Sequence, residues 1–150
     1  MISRSGAALP IFAVLASLCG QANSGSRDSR YPAKDVARFV VDHLDVRSFP
    51  TSLGASRGDQ RVLFRDYGIV PHRITEGEAD LKKRDDSWFF VITILRRTDS
   101  GIFVCFEDRG EYPAHYYTES VLMLTRPDNK SVLTGVTSDA DFKECPVSER

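Results

Sequence analysis

Charge of one sign, cysteine and long apolar runs are all scarce in this sequence, and each scarcity removes a class of protein. Lysine and arginine number 20 against 21 aspartates and glutamates, for a formal charge of −1. The bases are interleaved with acids, as in "GEADLKKRDD" (77–86), so no basic face is expected and nucleic acid is excluded as a partner. Three cysteines, Cys19, Cys105 and Cys145, are too few for a miniprotein held by a disulfide framework. After Leu18 no apolar run approaches the ~20 residues that span a bilayer, so no transmembrane span is expected in the mature chain. The chain also has no glycine-rich phosphate loop, no His-x-x-x-His, no Cys-x-x-Cys and no nucleophile elbow. His43, His72 and His115 are far apart, and no second ligand sits at metal-binding spacing from any thiol. Neither a metal nor a cofactor is expected.

The amino terminus has the three parts of an export signal. Arg4 gives a positive start, Ala7 to Leu18 is uncharged and mostly apolar, and Gly20 and Ala22 supply small residues for cleavage. Cys19, in "VLASLCGQANS" (14–24), would be an acyl anchor if a small residue preceded it, but Leu18 does. A lipoprotein is therefore not the expectation, and cleavage after Ala22 discards Cys19. The chain divides into a signal peptide (1–22), a flexible leader (23–30) and one globular domain (31–150), periplasmic or secreted. Cys105 and Cys145 then remain as an even pair in an oxidising space, which favours a disulfide.

What is present suffices for one hydrophobic core: 41% of residues are apolar and 27% charged. "YPAKDVARFVVDHLDV" (31–46) places Val36, Phe39, Val40, His43 and Leu44 at helical spacing, with Pro32 suited to a first helical position. Residues 47–60 carry Pro, Gly and Ser and read as a loop. "HRITEGEADLKK" reads as two short strands around Glu76-Gly77. "SWFFVITILRR" (87–97) is apolar on both alternating faces, the pattern of a central strand covered on both sides, with Phe39 and Val40 packing on one of them. "IFVCFED", a strand from His115 to Arg126, and "SVLTGVTS" continue the series. The expected fold is α+β: one amino-terminal amphipathic helix packed on a curved antiparallel meander of five to six strands. In element order, over residues 31–138, it resembles the cystatin-like and ketosteroid-isomerase-like folds, which host small enzymes, inhibitors and plain binding modules.

The densest polar-aromatic group is "EDRGEYPAHYYTE" (107–119), read as a connection between strands. It gathers Asp108, Arg109, Tyr112, His115, Tyr116 and Tyr117. As an enzyme site, Asp108 or His115 would be the base and a tyrosine the oxyanion donor. As an ordinary loop, Asp108 would pair with Arg109. As a binding surface, tyrosine and arginine offer large contact area with a polar handle. Tyr116 and Tyr117, adjacent on a strand, must face opposite sides. Three functions stay open. The first is an exported non-catalytic module, such as an inhibitor or immunity-type protein, that binds a protein in the envelope or outside the cell. The second is a small isomerase- or hydrolase-like enzyme with a pocket between helix and sheet. The third is an envelope-associated antigen without a dedicated ligand.

Overall fold

The computed structural model describes residues 30–110, 116–128 and 130–145. Helix α1 runs Val36–His43 and is followed directly by a two-residue strand, β1, Leu44–Asp45. After a long loop and a 3-10 turn (Phe64–Tyr67) come β2 (Ile69–Ile74), β3 (Glu78–Lys83), β4 (Trp88–Arg97), β5 (Ile102–Gly110), β6 (Tyr116–Thr125) and β7 (Leu133–Thr137). All lie in one curled sheet of order β1-β7-β6-β5-β4-β3-β2, antiparallel except where β1 pairs β7. The class is α+β, as the alternation and the single amphipathic stretch imply.

Two local features depart from the sequence reading. The helix starts four residues late: Asp35 sits in the left-handed region at φ 54, so Pro32 lies outside the helix rather than opening it. The sheet has seven strands, because Leu44 turns from helix to extended backbone and aligns in parallel with Leu133. A parallel pair needs a long crossover, and here nearly the whole domain serves as that crossover.

Val36, Ala37, Val40 and Val41 form the buried stripe of α1, which packs on β3 and β4. Phe90 and Ile92 of β4 lie wholly in the same core as Val40, and Phe39 packs against its margin, as expected. Phe64, Phe90 and Phe106 fill the centre, with ring centroids 5.7–6.4 Å apart. His43 is half-buried, its Nδ1 2.8 Å from the Phe39 carbonyl, which is a structural role.

The opposite face of the sheet has a smaller core of its own. Cys105, Val121, Phe142 and Cys145 are buried there, under the segment that follows β7. Cys105 and Cys145 form a disulfide with Cα atoms 5.5 Å apart. Phe142 lies against Phe103 at 5.5 Å, and the Arg96 guanidinium sits 5.0 Å from the Phe142 ring centre. The weakly apolar tail is thus held by one covalent link and one aromatic anchor. Among the described residues no helix is long and apolar enough to cross a membrane.

Candidate functional site

Strand alternation divides the polar-aromatic group. β5 continues through Gly110 rather than ending before it, so Asp108 and Arg109 project from opposite faces of one strand. Asp108 faces the helix side and is 1% exposed. Its Oδ1 accepts from the Trp88 indole at 2.5 Å and the Ser52 hydroxyl at 2.6 Å, and its Oδ2 accepts from the Ser52 backbone N–H at 2.7 Å. Asp108 therefore does not pair with Arg109. It pins the 47–60 loop, which Phe49 also anchors by packing edge-on to Phe106 at 5.0 Å.

Gly110 completes this arrangement. A Cβ built there would lie 2.6 Å from two atoms of the Trp88 ring, so only a bare backbone lets the indole lie flat across the strand end. Tyr116 leans on the same indole, with ring centroids 5.7 Å apart.

Removing the Asp108 carboxylate strands the loop's N–H and the indole N–H together. Asp108→Ala should therefore cost about 2–3 kcal/mol, by loss of charge-assisted bonds and desolvated donors left unpaired. Urea unfolding followed through the single tryptophan measures it. A change under ~0.5 kcal/mol is the outcome for a solvated surface residue and would remove Asp108 from this structural role.

The other face, the one that bears the disulfide, also carries two cross-strand rows beyond it. Pairing aligns Lys82, Phe89, Arg109 and Tyr117 in one row, and Asp80, Val91, Glu107 and Glu119 in the next. Residues directly opposite on one face are the unit of interaction in a sheet. Between the rows is a shallow open depression of about 400 Å³, bordered by His72, Arg73, Phe89, Glu107 and Arg109. Arg73 bridges Asp80 and Glu78, each at 2.7 Å. Arg109 is exposed and stands 3.8 Å from Glu107. Burial pushes the Glu107 carboxyl up; Arg109 pulls it down, while Glu119, Glu78 and Asp80 add to the rise. Tyr117 is 52% exposed and donates its hydroxyl to Glu119 Oε2 at 3.1 Å. Partial burial, then Glu107 and the bond to Glu119, raise its phenol.

The structure thus brings Arg109 and Tyr117 together, side by side on adjacent strands. It sets Asp108 and Tyr116 on the opposite face, with Trp88. Tyr112 and His115 lie outside the described residues. Phe89, Glu107, Glu119 and Ser52 were not among the residues singled out from sequence. Period-two spacing back from Arg109 finds Glu107, and back along the next strand finds Glu119 from Tyr117. Ser52 leaves no comparable signal, because its partner is 56 residues away. Comparison with known proteins finds no match by family model, by sequence or by solved structure.

Proposed function

We propose that the protein is an exported, non-catalytic binding module, an inhibitor or immunity-type protein, that meets a protein partner through the exposed part of the disulfide-bearing sheet face, around Arg109 and Tyr117. The observation that carries this reading is the exposed pairing of those two side chains beside Phe89, on a rigid strand surface rather than a loop tip. Arginine and tyrosine concentrate binding energy because they bury much area and retain a polar end. Export is supported by the amino-terminal signal pattern and by a disulfide, which persists in oxidising compartments. The domain begins at residue 31, after the signal peptide and leader. Its helix-then-meander order resembles, in outline, that of the cystatin-like and ketosteroid-isomerase-like folds.

Catalysis has less support. The space between helix and sheet is filled by Phe64, Phe90, Phe106 and the α1 valines. Asp108, the buried carboxylate among the described residues, is engaged by three donors.

A photo-crosslinking phenylalanine analogue in place of Tyr117, in the exporting cell, tests the proposal. One predominant adduct to an envelope or extracellular protein is expected, and Arg109→Ala should weaken binding to that protein about fivefold or more, the effect of a hot-spot truncation. Thermal unfolding should be unchanged by Arg109→Ala. No adduct at position 117, or full-strength binding by Arg109→Ala, overturns the docking face.

A further inference from the structure

Beside the disulfide lies a contact that the disulfide itself does not explain. Glu119 Oε1 is 3.2 Å from Cys105 Sγ, yet a sulfur in a disulfide has no hydrogen to give to a carboxylate. Among the described residues, one Glu119 oxygen and the two sulfurs form a group of three ligand-type atoms that all lie within 4.8 Å of one another. Both cysteines are buried and Glu119 is half-buried. The second oxygen of Glu119 is oriented by the Tyr117 hydroxyl, at 3.1 Å. We propose that these three residues are a latent site for a thiophilic divalent cation, Zn²⁺ above all, which forms when the disulfide is reduced.

Tetrahedral geometry supports the assignment. Zinc–sulfur and zinc–oxygen bonds of about 2.3 and 2.0 Å set the sulfur-to-oxygen edge at about 3.5 Å and the sulfur-to-sulfur edge at about 3.8 Å. The carboxylate is already near its edge length. Only the two sulfurs must part, and Cys145 lies on the irregular segment after β7 rather than on a strand, so it is the one that shifts. A dithiol supplies two electrons and two protons, becoming a disulfide itself, and converts Cys105–Cys145 to two thiols. The cation then displaces both thiol protons and takes the Glu119 carboxylate as third ligand, with water in the fourth position. Tyr117 acts as the outer-shell donor that fixes the ligating carboxylate. Sequence spacing hides the site, because Cys105 and Cys145 are 40 positions apart and Glu119 is on a different strand.

The test uses the exported, processed protein reduced with a phosphine, titrated with Zn²⁺ against a chromophoric chelator and, in parallel, with Co²⁺. One equivalent should bind, with a thiolate-to-cobalt absorption band, and the oxidised protein should bind none. Glu119→Gln should weaken Zn²⁺ binding tenfold or more once reduced, and Cys145→Ser should abolish it. Should the reduced apoprotein unfold, one equivalent of Zn²⁺ must restore the native near-ultraviolet signal of Trp88. Equal binding by the oxidised and reduced protein, unchanged affinity in Glu119→Gln, or a metal adduct that stays unfolded each overturns the site.

Discussion

Serine at Cys145 should lower the unfolding free energy by about 4 kcal/mol, the chain-entropy value for a closed loop of roughly 40 residues. The loop runs from the middle of β5 to the end of the described chain, so in the unfolded state the link restrains nearly all of β6 and β7. Its loss has a second effect on the folded side. Phe142 is 8% exposed only because the tail lies down over Phe103 and Val121, and one tilted ring pair at 5.5 Å is a weak tether by itself. Denaturant unfolding in the presence of a chelator measures the loss, with reduced parent protein as the matched comparison. The two should agree within about 1 kcal/mol. A loss below ~1 kcal/mol means that the tail docks without its link.

Ile92→Ala should cost a similar amount, about 2–5 kcal/mol. Ile92 is wholly buried at the centre of β4, between Ala79 of β3 and Phe106 of β5 in the cross-strand row, and shares its core with Val40 of α1. Truncation removes transfer energy and leaves a cavity that a rigid strand backbone cannot close. Val136→Ala is the control: its side chain is 52% exposed on β7, and it should change stability by less than ~0.5 kcal/mol. Equal effects at the two positions would contradict the assignment of the helix to the Ile92 face.

How much of this was legible in the sequence follows from the physics of each element. β4 was plain, because Phe90 and Ile92 face the helix-side core while Leu95 packs on the second core and Val91 is buried on that same opposite face, so both alternating faces had to be apolar. The cysteine pair was legible from count and compartment alone. The helix was visible but its start was not: Asp35 takes positive φ, a conformation that residue type permits without announcing. β1 was invisible, since two residues carry no periodicity and their partner is a distant strand. In the candidate site the residue types were visible as a cluster, but the faces were not. Reading "EDRGEYPAHYYTE" as a connection assigns one environment to Asp108 and Arg109. Extending β5 by two residues gives them opposite ones, and the reason lies in tertiary structure: Gly110 offers Trp88 a flat surface.

The short parallel pairing of β1 with β7 bears on the order in which the molecule assembles. Every other neighbour in the sheet follows its predecessor in the chain, so β2 through β7 can zip together as successive hairpins with short loops to close. Leu44 and Leu133 are separated by about 90 residues, and that closure must wait for β7. Until then the arm bearing α1 has no strand to hold it in register, and the sheet face built from Leu81, Phe90, Ile92 and Phe106 stands without its helix. Folding should therefore show a late step in which that face is finally covered, and slow closure would prolong the interval in which it can adhere to another chain. Mutations in β7 that weaken the Leu44–Leu133 register would then be felt first as aggregation during folding, before any loss in the finished protein.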